Sequence, residues 1–181
     1  MKRLAFALAS LCVLAASVPT AVVAQRTQKP VLHGRHWIAI TGKPMAATAG
    51  AMMFQKGGNA VDAAAAMLAA TATMWDVLSW GGEAQALIYH PGEKRVIALN
   101  ALGVAPTGAT PDHFRKLGMR YPPETGVESM VTPGTPGGLM TMLSEWGTLS
   151  LADVLAPAIE MADGYPMEAD AVGRIRAEAK L

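Results

Sequence analysis

The chain has 181 residues, with 15 Lys and Arg against 14 Asp and Glu, so its formal net charge of +1 leaves no basic footprint of the kind that nucleic-acid binding needs. Apolar residues make up 51% and charged residues only 16%, which excludes wholesale disorder and leaves room for one buried core. A single cysteine excludes both a disulfide framework and a cysteine-rich zinc site.

Residues 1–24 read as a secretory signal. Lys2 and Arg3 form a short basic start, residues 4–18 are almost wholly apolar, and Val22-Val23-Ala24 supplies the small residues of a cleavage site. Cys12 follows the bulky Leu11 and reads as apolar filler rather than a lipid attachment point. Cleavage after Ala24 would leave a mature chain of residues 25–181 without cysteine, suited to the periplasm or the exterior without reliance on disulfides.

Residues 25–35 are a polar lead-in, and residues 37–40 (WIAI) form a short strand candidate. The spacing predicts a helix over residues 45–56 that stops at Gly57-Gly58, since glycine tolerates the left-handed closing conformation. The next helix, residues 60–74, has Asn59 as its cap and Asp62 in its first turn, where a carboxylate favours the helix dipole. It carries no charge after Asp62, so burial on every side is expected; it is too short for the ~20 residues of a membrane span.

Ser79-Trp80-Gly81-Gly82 is a glycine-bearing loop, and residues 84–89 and 95–100 read as two strands inside a sheet, joined by a turn as an antiparallel hairpin. Thr110-Pro111-Asp112 opens a short helix that Gly118 closes. A brief strand is expected over residues 129–132, then a tight turn at residues 133–138 into a helix ending near Trp146-Gly147. Ser150 and Asp153 start another helix, which Pro157 is expected to kink or split and Gly164 to end. A last helix begins near Glu168 and shows no stop signal before Leu181.

The residues alone give no complete catalytic set. His33, His36, His90 and His113 have no metal-ligand spacing, and the three glycine pairs lack a dinucleotide-binding context. Ser79 and Ser144 lack the setting of a hydrolase nucleophile, and the 12 methionines are scattered as core packing would scatter them. Asp62, Asp76 and Glu83 are the acids nearest apolar sequence. Capping accounts for Asp62, while Glu83, after two glycines and before a strand, has no such structural reason to be there.

The order of motifs goes further. Lys56-Gly57-Gly58-Asn59-Ala60-Val61-Asp62-Ala63-Ala64 resembles the KGGNAVDAA signature of the gamma-glutamyltransferase (gamma-glutamyltranspeptidase) family. Trp80-Gly81-Gly82-Glu83-Ala84 resembles its glycine-rich segment before a strand, and Ala105-Pro106 with Ala109-Thr110 resembles APxxAT. Val131-Thr132-Pro133-Gly134-Thr135 resembles VPGT, residues 155–159 resemble LxPAI, and Asp163-Gly164-Tyr165-Pro166 resembles EGFP. The resemblance covers essentially all of residues 34–181.

The resemblance implies an α+β fold, the four-layer αββα sandwich of N-terminal-nucleophile hydrolases, of which residues 25–181 would be only the N-terminal part. Such precursors cut themselves, and the new N-terminal threonine carries the reaction with its own amine as base. That threonine is expected beyond this chain, so no catalytic residue is assigned within it. The implied activity is transfer or hydrolysis of a gamma-glutamyl or related amide such as glutathione, without metal or organic cofactor. The implied partners are that small-molecule substrate, the rest of the large subunit and the small subunit. The alternative reading is a truncated, non-catalytic product that binds or assembles with a partner chain.

One departure bears on specificity. The family's arginine that grips the glutamyl α-carboxylate falls, by position in the resemblance, on Leu102, which cannot make the paired hydrogen bonds of a guanidinium. Asn100 and Leu102 are the substrate-binding candidates on this reading.

Overall fold

Among the described residues of the computed structural model there are six α-helices, three of which begin at the side-chain caps Asn59, Thr110 and Ser150. The structure describes residues 31–74 and 79–178, so the signal segment, Asp76 and the end of the last helix lie outside the described residues. The chain divides after His33 into two compact units, and every element below belongs to the second, Gly34–Leu181.

Helix α1 (Pro44–Gln55) ends in a Schellman motif. Gly57 takes φ +84°, its N–H donates to the Phe54 carbonyl, and the Gly58 N–H donates to the Met53 carbonyl. The reversal feeds directly into α2 (Ala60–Thr73), whose cap is a complete capping box. Asn59 Oδ1 accepts from the N–H groups of Val61 and Asp62, and Asp62 Oδ2 accepts from the Asn59 N–H at 2.8 Å.

Helix α2 is the centre of the core. It packs against α1, against α4 (Thr135–Trp146) and against α5 (Leu151–Asp163). Its alanines Ala63, Ala66 and Ala70 meet Ala46, Ala49 and Met53 of α1, Leu139 and Met142 of α4, and Val154 and Ala158 of α5 in one buried cluster. Small side chains on the shared face let the helix axes approach closely, and burial at about 25 cal/mol per Å² of apolar surface drives it. Burial on every side does not occur, however. Ala60 and Ala64 are exposed and Met67 and Leu68 half-buried, which leaves one apolar strip of α2 uncovered. Its other sides have helical neighbours, and at the edge of this strip Met67 lies against Gly50 of α1.

Strands β1 (Ala84–His90) and β2 (Arg95–Ala101) form the expected antiparallel hairpin, with Ala84 opposite Ala101 and His90 opposite Arg95. Ala86, Ile88 and Leu99 face the helical core. The expectation that both strands lie inside a sheet is corrected: among the described residues the sheet has two strands, and Leu87, Tyr89 and Val96 on its other face are exposed.

Three further expectations change. Residues 37–40 form no strand; Trp37 instead stacks on Phe54 of α1, with ring centroids 4.9 Å apart, and Ile38 and Ile40 are exposed. Residues 129–132 form no strand either. A 3₁₀ turn over Val127–Ser129 precedes an extended stretch that makes one ladder-like bond, Thr132 N–H to the Val104 carbonyl. Pro157 does not split α5, which runs unbroken through it. The carbonyl that proline deprives of a partner belongs to Asp153, a half-buried residue in the first turn.

The remaining helices follow their signals. Helix α3 (Pro111–Lys116) is capped by Thr110, whose hydroxyl accepts from the His113 N–H, and α6 (Ala169–Glu178) follows Gly164. Tyr165 ties this last segment back to α2 by donating its hydroxyl to the Met74 carbonyl at 2.7 Å, and Lys43 pairs with Glu168.

Candidate functional site

Two features set the geometry from which a site could be built: a buried carboxylate knot at the start of α2, and an open groove beside the hairpin.

The knot centres on Asp62, fully buried in the first turn of α2. Besides the Asn59 N–H it accepts from the Thr148 hydroxyl at 2.6 Å, the Thr148 N–H at 2.9 Å and the Leu149 N–H at 3.1 Å. Asn59 completes the connection by donating its side-chain amide to the Trp146 carbonyl at 2.7 Å. Burial opposes the charge on Asp62, but the hydrogen bonds from Thr148, Asn59 and Leu149 outweigh it and hold the carboxyl below its ordinary value. A carboxylate so saturated with donors is a fastener, not a proton-transfer group: it locks the α4–α5 junction to α2. The sequence signals cap and dipole at Asp62 but not this second role. The available clue is that a lone acid inside an apolar helix must find donors if it is buried.

The hairpin is locked to α4 by glycine contacts. The N–H groups of Gly134 and Thr135 both donate to the Gly82 carbonyl, so the glycine loop before β1 caps α4. A Cβ on Gly134 would lie 2.1 Å from the Ala101 carbonyl oxygen, so only glycine allows α4 to start this close to β2.

A groove of about 1440 Å³ opens between β1 and the uncovered strip of α2. Ala64, Met67, Leu68 and Thr71 of α2 form one wall, β1 the other, and Met142 and Trp146 of α4 contribute to its lining. Glu83 is exposed and lines the groove at the head of β1; among the described residues Glu145 is the other carboxylate in its lining.

Asn100 and Leu102 lie elsewhere. Both are exposed, and neither lines the groove. They are joined to each other, since Asn100 Oδ1 accepts from the Leu102 N–H at 3.0 Å and so shapes the exit of β2. Leu102, Val104, Met130 and Val131 are all exposed apolar residues. Gly103 itself lies against Val131 and Thr132, since a Cβ there would meet the Thr132 carbonyl oxygen at 2.2 Å and the Val131 side chain at 2.9 Å.

The histidines do not converge. His33 and His36 are exposed in the lead-in, His90 accepts from the Glu93 N–H within the hairpin turn, and His113 pairs with Glu128 at 2.7 Å. No cluster of three or more His, Cys, Asp or Glu forms among the described residues.

Residues 46–181 match the family model described as Gamma-glutamyltranspeptidase. The chain is 33% identical over 174 residues to the glutathione hydrolase proenzyme of Bacillus subtilis (strain 168), covering 90% of this chain and 30% of that protein. It is 32% identical over 160 residues to the Acylase ACY 1 proenzyme of Pseudomonas sp. (strain V22), covering 82% of this chain and 28% of that protein. Among solved structures, that of Helicobacter pylori gamma-glutamyltranspeptidase matches with a TM-score of 0.73 and 31% identity, over 82% of this chain and 44% of that one. The chain thus spans less than a third of the length of these two curated relatives.

Proposed function

The chain belongs to the gamma-glutamyltranspeptidase family, and on that premise we propose that it is the N-terminal portion of a secreted or periplasmic, self-processing amide hydrolase or acyltransferase. Its fold is the mixed helix-and-sheet arrangement shared with solved gamma-glutamyltranspeptidases. Residues 1–24 are the export signal in this reading, and residues 25–181 contribute to the large subunit.

The nucleophile is a threonine outside these residues, freed as a new N-terminus when the precursor cuts itself. Its hydroxyl attacks the amide carbonyl, its own amine takes the proton, and the amine of the substrate leaves with a proton. Water or an acceptor amine then takes the acyl group from the threonine oxygen. In this scheme the present residues supply a scaffold for the acyl pocket rather than the reacting atoms.

The observation that carries the reading is the hairpin: apolar on both faces, yet covered on one only among the described residues, within a chain that spans under a third of the curated relatives it matches. Such a ribbon is built for the interior of a larger sandwich.

The acyl group is proposed to differ from a gamma-glutamyl group. Leu102 stands where the resemblance places a carboxylate-gripping arginine, and the neighbouring Gly103 packs on Val131, an apolar side chain. The likeness to an acylase as well as to glutathione hydrolases supports this shift. The test is substrate profiling of the protein expressed from its whole reading frame, with glutathione set against amides whose acyl group lacks an α-carboxylate. Preference for the second group is expected. Efficient glutathione hydrolysis that depends on the α-carboxylate would sink the specificity reading, and no amide hydrolysis at all would sink the enzyme reading.

A further inference from the structure

The outer face of the hairpin is apolar except at one end. On that face the register sets Tyr89 opposite Val96, Leu87 opposite Ala98 and Gln85 opposite Asn100, and each of these residues is exposed. Directly opposed residues of an antiparallel pair share a face, so the two carboxamides stand side by side. Leu102 follows Asn100 at this same end. Asn100 Oδ1 is taken by the Leu102 N–H at 3.0 Å, so what its side chain still offers is the Nδ2 donor. Between Ser79 and Thr110 the Lys and Arg residues are Lys94 and Arg95, both at the turn and so at the far end of the strands, while Glu83 is the charge at the open end. The start of α4 lies against Leu102, since a Cβ on Gly134 would come within 2.9 Å of the Leu102 carbonyl carbon. Its positive pole is occupied, however: the Gly134 and Thr135 N–H groups donate to the Gly82 carbonyl, and Pro136 has no N–H.

We infer that Gln85 and Asn100 together select the acyl group, by binding a neutral carboxamide at the position where a gamma-glutamyl group carries its α-carboxylate. The inference rests on the specificity reading above. It adds Gln85 to the residues that read the substrate, and it names the chemistry that stands in for the missing guanidinium. A carboxylate here would meet no Lys or Arg of the hairpin and would have the negative charge of Glu83 two residues from Gln85. A hydrocarbon end would leave both side-chain amides unpaired once this face is covered, and an unpaired buried polar group is a strong ground for rejecting a ligand. A carboxamide satisfies both. Its oxygen accepts from Asn100 Nδ2, and its N–H or its oxygen pairs with Gln85, whose tip holds a donor and an acceptor.

The experiment gives the protein expressed from its whole reading frame three p-nitroanilides whose acyl groups share one shape. Glutaryl, a gamma-glutamyl group without its amine, ends in a carboxylate; its monoamide ends in a carboxamide; the isosteric hydrocarbon ends in an isopropyl group. The carboxamide is expected to lead, with kcat/KM about tenfold above glutaryl and about fivefold above the hydrocarbon. Gln85→Met is expected to cut the carboxamide-to-hydrocarbon ratio by about fivefold. Gln85→Lys supplies a cation and is expected to raise the glutaryl-to-carboxamide ratio by about tenfold, a gain that a misfolded variant cannot imitate. A lead for the hydrocarbon, or ratios that neither Gln85 variant moves, would overturn the inference and leave the neutral-acyl reading standing. A lead for glutaryl would overturn both. Hydrolysis of none of the three would overturn the inference together with the enzyme reading.

Discussion

Asp62 and Thr148, 86 residues apart, are joined through both the backbone and the side chain of the threonine, at 2.9 and 2.6 Å. This contact turns a helix cap into a tertiary lock, because the same carboxylate closes the capping box with Asn59. The KGGNAVDAA-like segment therefore has a physical role on its own terms: Gly57 reverses the chain, Asn59 caps α2, and Asp62 fastens α2 to the α4–α5 junction.

Asp62→Ala should be strongly destabilising. It removes the fully buried carboxylate that accepts from the Thr148 and Leu149 N–H groups and the Thr148 hydroxyl, and it removes one half of the capping box. Hydrogen bonds to a charged group contribute about 1.5–3 kcal/mol each and a lost cap costs about 1 kcal/mol, so a loss of roughly 3 kcal/mol or more is expected in urea titrations. Thr148→Val removes only the hydroxyl donor and should cost about 1–2 kcal/mol. Equal losses for the two variants would contradict the lock.

The same carboxylate sets an acid limit on stability. Its folded value lies below the ordinary one, so the unfolded chain binds the proton more readily. The stabilisation is complete above the unfolded value of about 4 and is lost as pH falls through the folded value. Thermal melts should hold steady from neutral pH to about pH 5 and drop below about pH 4. In Asp62→Asn this drop should be shallower; an unchanged slope would assign the acid sensitivity to other carboxylates.

Gly134→Ala tests the close seat of α4 on β2. Gly134 has φ −96° and ψ −27°, which alanine adopts freely, so any penalty is steric. The added Cβ would press on the Ala101 carbonyl at 2.1 Å, and backbone cannot step aside as a flexible side chain would. A loss of about 1–3 kcal/mol is expected from such overpacking. A neutral result in chemical denaturation would mean that the hairpin and α4 can slide apart freely.

The elements that local rules govern were legible in the sequence: both long helices of the glycine–asparagine segment, the hairpin, and the caps at Asn59, Thr110 and Ser150. What failed was set by distant partners. Residues 37–40 have strand composition, but Trp37 finds Phe54 instead of a neighbouring strand. Burial of α2 on every side follows from composition, yet Ala60 and Ala64 are exposed. The site was less legible than the fold. Asn100 and Leu102 come from a motif position alone, and the structure adds the hydrogen bond between them and their exposure.

Leu102→Arg in the protein expressed from its whole reading frame tests the specificity reading directly. Leu102 is exposed at the exit of β2, so a long cation there needs no repacking of the core. Its backbone N–H is held by Asn100 Oδ1, which keeps the turn, and hence the direction of the new side chain, as it is now. A guanidinium there would offer a substrate α-carboxylate two parallel charge-assisted hydrogen bonds, each net about 1.5–3 kcal/mol. KM for gamma-glutamyl amides should fall by about tenfold or more, since 1.4 kcal/mol is a factor of ten, while kcat changes little because the contact is present in ground and transition state alike. Adding Asn100→Ala should erase much of that gain by loosening the turn. A KM for gamma-glutamyl amides that does not move on Leu102→Arg would place the carboxylate-binding position somewhere other than residue 102.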